Sequence, residues 1–473
     1  MATLPEQRTV SHVDFDPALI QRYDRLGPRY TSYPTARQFV APFDSRRYTE
    51  EVAASNGDPI PSDLSLYLHI PFCNSPCFYC GCTRLITRDP DKVSRYLDRL
   101  MHEATLQGRL FSHDRFVRQL HLGGGSPSLL TDDQLAGLLR ALRAAFHFPG
   151  DSFPEASIEV DPRTVTPSRM QALFDIGFNR VSFGIQDFDP DVQAAVNRVQ
   201  DRDHCLAVIE AAQKVGFTSV SVDLIYGLPR QSLQTFGATL DAIAAARPGR
   251  AAVYGYAHMP QLFKAQRQID AAELPGAELR LQLLSLAVEK LTAAGYEYIG
   301  MDHFALPDDE LARARREGSL QRNFQGYSTL AGLDLVGLGL SAIGRVGRVY
   351  AQNAKTLNDY YGALDDERLP IVAGLAMSDD DVLRADVINH LMCYDELRFG
   401  EVEAAHHIKF REYFAFELER FVPLAADGLV EVLADRIRVL PRGRFLLRTL
   451  AMQFDAYLPS QPAGGKPAYS RVI

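Results

Sequence analysis

The chain has 473 residues, of which 46% are hydrophobic and 23% are charged, and this composition is typical of a folded globular protein rather than a disordered or low-complexity one. Fifty lysine and arginine residues against 59 aspartate and glutamate residues give a net charge of −9, which excludes a general attraction to nucleic acid or to an anionic membrane. The length predicts two or three domains.

The first 20 residues contain no apolar stretch of about 7–15 residues, so no signal peptide is expected. The sequence contains no run of about 18 uncharged apolar residues, so no membrane-spanning helix is predicted. We therefore expect a cytoplasmic protein, and we expect it to be a monomer.

From about residue 65 to residue 300, short apolar runs alternate with amphipathic helical stretches, the pattern of parallel sheets built from βαβ units. One helix is predicted after a capping box of Thr131 and Gln134, and another has Pro167 near its start and Gly177 at its end. The predicted strands are 66–72, 119–122, 157–160, 181–185, 219–225 and 253–257. Six such repeats predict an α/β fold, a partial (β/α)6 TIM-like barrel with its active face at the carboxyl ends of the strands.

We expect this barrel to occupy residues 61–364, between an N-terminal segment, 1–60, and a mainly helical C-terminal domain, 365–473. In the last region one helix is predicted to start at the Ser378 cap, a second to span 410–421, and a hairpin to span 430–440 before a final helix. This order resembles a winged helix. No basic stripe accompanies it, so a lid or docking role is favoured over nucleic-acid binding.

Four of the six cysteines, at 73, 77, 80 and 82, lie within ten residues, in a loop that follows the first predicted strand. The spacing C-x3-C-x2-C-x-C in one loop is typical of cysteines that hold an iron–sulfur cluster. The alternatives are a structural zinc site, which usually separates two cysteine pairs by a dozen or more residues, and a catalytic redox site. Cys205 and Cys393 lie in apolar surroundings, and we expect both to be buried inert thiols.

The C-x3-C-x2-C loop resembles the signature of the radical S-adenosylmethionine (SAM) family. This resemblance implies a [4Fe–4S] cluster held by Cys73, Cys77 and Cys80, with the fourth iron open to the amine and carboxylate of SAM. In the family, the reduced cluster then cleaves SAM to a 5′-deoxyadenosyl radical. Cys82 is not expected as a ligand, and both a catalytic role near the substrate and an inert thiol stay open for it.

The resemblance extends along almost the whole chain, and it is to the branch of the family that acts on porphyrinogens. The matching stretches, in order, are GPRYTSYPTA, YLHIPFC, GGGSPS, IEVDP, FGIQDFD, VNR, VDLIYGLP, YAHMP, GMDHFA, RNFQGY and the terminal SRVI. They imply a partial barrel, a helical C-terminal domain, an N-terminal segment that helps to close the substrate site, and two SAM molecules in one cavity.

Residue by residue, the resemblance implies SAM contacts at the strand ends. Glu159 matches the carboxylate that binds a SAM ribose, Arg198 the guanidinium that meets a SAM carboxylate, and Tyr79 an aromatic side chain near adenine. Without the resemblance, Arg198 would be an ordinary helix arginine and Tyr79 a loop anchor. The other matched positions are Tyr67, Gly124, Gly125, Ser126, Gln186, Asp223, Ala257 and Ile343.

For the substrate, the resemblance implies coproporphyrinogen III, two of whose four propionates lose CO2 to become vinyl groups, giving protoporphyrinogen IX. Arg29 and Arg322 are the candidates for binding propionates. An electron donor to the cluster and an electron acceptor are expected as partners. The alternative is a haem-binding chaperone of the same superfamily, whose usual pattern lacks the fourth cysteine and contains a tryptophan, whereas this chain has Cys82 and no tryptophan.

Three positions depart from the family pattern. Leu122 and Gly255 stand where tryptophan and asparagine are expected, and Ser126 replaces a threonine but keeps the hydroxyl group. These departures bear on packing beside the SAM site and leave the cysteine loop unaffected.

Overall fold

The computed structural model describes residues 13–150, 153–458 and 469. The matched stretch SRVI at the end of the sequence lies outside these residues, as do residues 1–12 of the predicted N-terminal segment. Within the described residues, none of the helices combines the length and the apolar character needed to cross a membrane.

One sheet of twelve strands organises the described residues, in the order β16-β15-β14-β13-β1-β4-β5-β6-β7-β8-β10-β9. In chain order the strands are β1 (Leu64–Ile70), β2 (Phe72–Cys73), β3 (Leu85–Ile86), β4 (Val117–Gly124), β5 (Glu155–Val160), β6 (Arg180–Gln186), β7 (Ser219–Tyr226), β8 (Arg250–Gly255), β9 (Glu297–Gly300), β10 (His303–Ala305), β11 (Gln321–Asn323), β12 (Gly326–Ser328), β13 (Asp334–Leu338), β14 (Ile343–Val346), β15 (Val349–Asn353), β16 (Ile371–Ala376), β17 (Glu396–Arg398), β18 (Val430–Val432) and β19 (Arg436–Val439).

The helices in chain order are α1 (Pro17–Tyr23), α2 (Ser45–Asn56), α3 (Pro90–Gly108), α4 (Asp132–Ala145), α5 (Arg169–Ile176), α6 (Pro190–Ala195), α7 (Arg202–Val215), α8 (Leu233–Ala246), α9 (Ala277–Ala293), α10 (Glu310–Glu317), α11 (Leu357–Asp365), α12 (Asp379–Cys393), α13 (Phe399–His406), α14 (Phe410–Tyr413), α15 (Ala415–Glu419), α16 (Val422–Ala426) and α17 (Leu447–Ala451). The helices between the parallel strands bury one apolar face each in the main core, as α4 does with Leu135, Leu138 and Leu142.

The six predicted strands are present as β1, β4, β5, β6, β7 and β8, and each is parallel to its neighbour in that order. A seventh parallel strand, β13, pairs with β1 and was not predicted. Antiparallel strands extend the sheet at both edges. Because β16 is one of them, the sheet continues beyond residue 364, where the barrel was predicted to end. Because β16 and β9 do not pair with each other, the described barrel is open, as six repeats predict.

Alternate side chains of the central strands line one interior space, which shows that the sheet is curved. These side chains include Gln119, His121, Glu155, Ser157, Glu159, Arg180, Ser182, Ser221, Asp223, Arg250 and Tyr254. The opposite faces of the same strands are buried under the helices. The barrel therefore has an apolar outer layer and a polar interior.

Two helix predictions after the second and third strands can be compared with the structure. The capping box of Thr131 and Gln134 is present at the start of α4. The next helix, α5, begins at Arg169, so Pro167 lies in the preceding turn rather than inside the helix. Gly177 ends it with a φ of 122°, a backbone angle that favours glycine.

The C-terminal region forms its own core around α12, which begins at the predicted Ser378 capping box. The single helix predicted over 410–421 is wrong, because the backbone at Phe414 is not helical and separates α14 from α15. The predicted hairpin is formed by β18 and β19, and β17 adds a third strand to it.

The N-terminal segment bridges the two cores. Tyr30 and Tyr33 are buried among the apolar side chains of the C-terminal region, and the Tyr30 hydroxyl donates to Asp455 at 2.8 Å. Farther along, Tyr48 and Val52 of α2 pack against β14 and β15. Residues far apart in the sequence therefore hold this segment in place.

A buried ion pair joins the first residue of β13 to the segment just before β4, and we expect its loss to destabilise the fold. Arg115 is fully buried, pairs with Asp334, and donates to the Ser62 carbonyl at 2.7 Å. Substitution Arg115→Met leaves the Asp334 carboxylate buried without its cation. We expect the free energy of unfolding to fall by about 3–5 kcal/mol, measured by urea denaturation.

Arg118→Met is the matched control. Arg118 pairs with Asp63 at 2.6 Å, but its side chain is 40% exposed, so solvent screens the pair and the expected loss is about 0–1 kcal/mol. Equal losses for the two variants would contradict the assigned role of Arg115.

Candidate functional site

A cavity of about 450 Å³ lies at the carboxyl ends of the parallel strands, beside the cysteine loop. The sequence-predicted residues that line it are Cys73, Cys77, Cys80, Cys82, Tyr79, Gly124, Gly125, Ser126, Glu159, Gln186, Arg198 and Asp223. Residues from the cysteine loop, four different strands and the α6–α7 connection thus meet at the face where barrels carry their chemistry.

Three of the four thiols have hydrogen-bond donors around them. Ser126 Oγ lies 3.6 Å from Cys73 Sγ, Arg198 Nη1 lies 3.4 Å from Cys77 Sγ, and the Cys82 N–H donates to Cys80 Sγ at 3.4 Å. Burial raises the pKa of Cys73 to about 11, whereas hydrogen bonding from Cys82 lowers the pKa of Cys80. The hydrogen-bond donors favour the thiolate form of these cysteines, whereas burial of Cys73 opposes it.

The arrangement of the thiols bears on the choice between zinc and a cluster. In the described ranges, no group of three or more His, Cys, Asp or Glu side chains converges closely enough to hold one metal ion. Cys73, Cys77 and Cys80 line a common cavity, and thiolates are the usual protein ligands of iron–sulfur clusters. This donor set therefore fits a cluster.

The glycine-rich end of β4 allows the backbone to approach the start of the cysteine loop. The Gly125 N–H donates to the Ile70 carbonyl and the Ser126 N–H to the Phe72 carbonyl, both at 2.8 Å. A Cβ on Gly125 would lie 2.7 Å from the Phe72 oxygen, and Gly124 has a φ of 113°. No other residue type fits these two positions without moving the loop.

Two carboxylates face the cavity. Glu159 accepts the Gly124 N–H at 3.0 Å and lies 3.3 Å from His121 Nε2; these hydrogen bonds lower its pKa although burial opposes them. Burial and the nearby Glu159 charge raise the pKa of Asp223 to about 7, while Ser182 Oγ donates to it at 3.2 Å. The pair offers acceptors for hydroxyl groups and a negative field for a cation.

Two buried polar atoms at the cavity have no partner in the described structure. Gln186 ends β6 with a φ of 68°, and its Oε1 accepts no hydrogen bond. Arg198 is 6% exposed; it donates to the Gly184 carbonyl and to Asp161, but its Nε donates to nothing. Since an unsatisfied buried polar atom costs about 1–3 kcal/mol, the site fits a ligand that supplies both a donor and an acceptor.

Sequence reasoning missed Asp161 and Arg163, which also line the cavity. Arg163 Nη2 lies 3.6 Å from Cys77 Sγ, and its guanidinium donates to both Asp161 oxygens, at 2.6 and 3.0 Å. Asp161 thus holds Arg163 and Arg198 together beside Cys77. The signal was present, because Asp161 belongs to the matched stretch IEVDP at the end of β5.

Three predicted SAM contacts do not line this cavity. Tyr67 stacks on His121 with ring centres 5.8 Å apart, and in the sheet it lies opposite Gly337 of β13. A Cβ at Gly337 would lie 2.6 Å from the Ile343 carbonyl carbon. Gln266 Nε2 joins the carbonyls of Ala257, at 3.2 Å, and Tyr79, at 2.9 Å. Tyr67 and Ile343 are therefore neighbours, and Ala257 lies beside the aromatic residue of the cysteine loop.

At Gly255, one of the departures, a Cβ would lie 2.8 Å from the Tyr226 hydroxyl oxygen, so a side chain here would require the Tyr226 ring to shift. Leu122, another departure, is fully buried in the main core. Cys205 and Cys393 are also buried, as predicted.

The two arginines predicted to bind propionates lie outside the cysteine cavity. Arg29 pairs with Asp302 at 3.0 Å and lies over the Tyr254 ring. Arg322 is 8% exposed and lines a separate cavity of about 410 Å³. A third, smaller space of about 180 Å³ occupies the barrel interior and shares Asp223 with the cysteine cavity.

Comparison with known proteins bears directly on this site. Residues 67–243 match the family model of the radical SAM superfamily. The chain is 46% identical to the oxygen-independent coproporphyrinogen III oxidases of Pseudomonas aeruginosa and Salmonella typhimurium, with 98% of this chain and 99% of each relative aligned. It is also similar to the solved structure of coproporphyrinogen III oxidase from Escherichia coli, described as a radical SAM enzyme: the TM-score is 0.89 at 44% identity, covering 95% of this chain and 100% of that one.

The assignment of the three cysteines predicts the metal content of variants. Cys73→Ala, Cys77→Ala and Cys80→Ala each remove one thiolate, and we expect each protein, purified without oxygen, to lose most of its iron and sulfide. Cys205→Ala, which changes a buried thiol in α7, is the control and is expected to keep both. Full iron and sulfide content in any of the three variants would show that its cysteine is not a ligand.

Proposed function

The chain belongs to the oxygen-independent coproporphyrinogen III oxidase family of the radical SAM superfamily, and we propose that it converts two propionates of coproporphyrinogen III to vinyl groups, giving protoporphyrinogen IX, a step of haem biosynthesis. One observation carries the proposal: the cavity that collects four thiols also holds the unpartnered buried atoms of Gln186 and Arg198. A haem-binding chaperone is not favoured by any contact among the described residues.

When bound, the [4Fe–4S] cluster and SAM supply the one-electron cleavage and hydrogen abstraction of the family. Cys73, Cys77 and Cys80 hold the cluster in this proposal, with Arg163 and Arg198 beside Cys77 offsetting thiolate charge. Cys82 is left out of the ligand set, because the family resemblance assigns only three cysteine ligands; its backbone N–H donates to Cys80 Sγ at 3.4 Å.

The residues around the cavity suit the parts of SAM. Glu159 accepts from ribose hydroxyls, and Asp223 adds negative charge that favours the sulfonium cation. Arg198 Nε is free to donate to the carboxylate, and Gln186 Oε1 is free to accept from the amine. Tyr79, Gly124, Gly125 and Ser126 form the wall against which the ligand lies.

A second SAM molecule is part of the proposal. Its support is that Tyr67, Ala257 and Ile343, which the family resemblance also assigns to SAM, do not line the cysteine cavity, so a single SAM bound there would leave them without a ligand. We place the second molecule on the side of the cavity where Tyr67 and Ile343 are neighbours.

The proposed domains assign the remaining roles. The barrel, residues 61–364, carries the chemistry, and the N-terminal segment, 1–60, closes the substrate site together with the C-terminal domain, 365–473. The support is the buried position of Tyr30 and Tyr33 in the C-terminal core and the pairing of Arg29 with Asp302 of the barrel.

The proposed reaction also defines the partners and the setting. For each vinyl group, one electron enters through the cluster and one leaves the substrate together with CO2, so a one-electron donor and a separate electron acceptor are required. All six cysteines are free thiols, which suits the reducing cytoplasm. Because every proposed ligand comes from one chain, the protein is proposed to act as a monomer.

Anaerobic turnover tests the proposed function. The reconstituted protein, given a low-potential reductant, SAM, coproporphyrinogen III and a one-electron acceptor, is expected to form two vinyl groups per substrate, with 5′-deoxyadenosine released in proportion to them. Retention of haem without any vinyl formation would favour the chaperone alternative and overturn the proposal.

The raised pKa of Asp223 predicts how SAM binding depends on pH. Asp223 faces Glu159, His121 and Arg198, and its pKa of about 7 means that it gains a proton as the pH falls through this value. Loss of its negative charge weakens attraction to the sulfonium cation, so the Kd of SAM for the cluster-loaded protein is expected to rise severalfold between pH 8 and about pH 6.

In the variant Asp223→Asn this rise is expected to disappear, because the amide does not titrate. Asp203→Asn, which changes an exposed residue of α7, is the control and is expected to keep the pH dependence of the unmodified protein. An unchanged pH dependence in Asp223→Asn would exclude Asp223 as its source.

A further inference from the structure

The cavity of about 410 Å³ that contains Arg322 lies at the opposite end of the barrel from the cysteine loop. One wall is formed by Ser65, Gln119 and Leu335, near the amino ends of β1, β4 and β13. The other walls come from the N-terminal segment at Tyr30 and Tyr33, the β11–β12 hairpin and α12. We call this space the distal cavity.

Arg322 is a buried cation without a counter-ion among the described residues of the distal cavity. It is 8% exposed, its guanidinium lies 4.8 Å from the Tyr327 ring centre, and its Nε and Nη1 donate to no described atom. A buried charge without a partner is costly, so such an arginine is expected where an anion binds. The charge is also fixed, because a guanidinium keeps its proton.

A second cation lines the same cavity. Arg345 donates through Nε to the Gly347 carbonyl at 3.1 Å, and its guanidinium lies 5.6 Å from the Tyr350 ring centre. Within the part of the chain that the structure describes, no carboxylate lies within ion-pair distance of Arg322 or Arg345.

One of the two carboxylates on the cavity wall is already neutralised, because Asp334 pairs with buried Arg115. The other, Asp386, has a side chain that is 53% exposed and lies 3.1 Å from His406 Nε2. Nearby His303 is neutral, because burial and the charge of Arg322 lower its pKa to about 3. The wall of the distal cavity is therefore positive where Arg322 and Arg345 lie, and it suits one or two carboxylates.

The barrel interior borders both the distal cavity and the cysteine cavity. The interior space shares Glu159, Ser182 and Asp223 with the cysteine cavity, and it shares Gln119 with the distal cavity. From Gln119 to Gly124 the strand β4 runs about 17 Å, at about 3.3 Å per residue. A tetrapyrrole with its side chains can bridge this distance, reaching both ends of the barrel.

We infer that the distal cavity binds the two propionates of the substrate that are not decarboxylated, with Arg322 and Arg345 as their cationic partners. This inference rests on the proposed function. The reacting propionates must reach the SAM end of the barrel, and in the product the two surviving propionates lie on neighbouring rings, on the side of the macrocycle away from the vinyl groups. A pair of cations at the opposite end of the barrel therefore matches the surviving pair.

The product keeps these two propionates, so substrate and product share the distal contact. Arg322→Gln is therefore expected to weaken the binding of coproporphyrin III and of protoporphyrin IX, the stable oxidised forms of substrate and product, by about the same factor. Loss of a hydrogen-bonded charge pair corresponds to a 10- to 100-fold rise in Kd, by order of magnitude.

The test measures the Kd of both porphyrins by fluorescence quenching on the cluster-loaded protein under anaerobic conditions. Arg345→Gln is expected to show a similar parallel loss, and Arg322→Lys a smaller one, since it keeps the charge. Arg348→Gln is the control, because Arg348 does not line the cavity and its side chain is 56% exposed. SAM cleavage in the absence of substrate is expected to stay unchanged in Arg348→Gln.

Weaker binding of coproporphyrin III alone would place Arg322 at a reacting propionate and overturn the inference, as would unchanged binding of both porphyrins. If Arg322→Gln does not fold, Arg345→Gln decides the question by the same comparison. Failure of the proposed function looks different, because the unmodified protein would then form no vinyl groups in the anaerobic turnover assay, whatever the porphyrin affinities of the variants.

Discussion

The close contact between the end of β4 and the start of the cysteine loop determines the rest of the site. Two backbone hydrogen bonds, from Gly125 to Ile70 and from Ser126 to Phe72, join these segments, and the missing side chains of Gly124 and Gly125 make the approach possible. At the same strand end, the Gly124 N–H donates a hydrogen bond to the Glu159 carboxylate. A change of backbone position here would therefore move the thiols and the carboxylates together.

Around this contact, groups of like charge lie at several levels of the barrel, although Arg180 and Arg250 also line its middle. Arg163 and Arg198 are held beside Cys77 by Asp161, where they can offset thiolate charge. Glu159 and Asp223 face the middle of the barrel, and Arg322 and Arg345 lie at the far end. The net charge of −9 gave no indication of this distribution, since it sums over the surface as well as the interior.

Sequence periodicity predicted the six central strands because each is a continuous apolar run between amphipathic helices. It missed β13, whose five residues include a glycine and follow the short β11–β12 hairpin rather than a helix. The helix predicted over 410–421 failed because apolar spacing does not report the backbone turn at Phe414. The cysteine loop and most of the SAM-site residues were predictable from motifs, whereas the role of Asp161 in joining two arginines depends on side-chain contacts between strand ends, which no local pattern records.

The position of Tyr30 and Tyr33 has a consequence for the synthesis of the protein. Both tyrosines leave the ribosome early, yet the side chains that bury them, and Asp455, which binds the Tyr30 hydroxyl, are translated among the last residues. During elongation the N-terminal segment therefore has no partner to dock against, while the barrel strands that follow it can already pair. The cysteine loop is therefore also synthesised before the C-terminal residues that fix the N-terminal segment, so the compartment around it is completed only when the end of the chain docks.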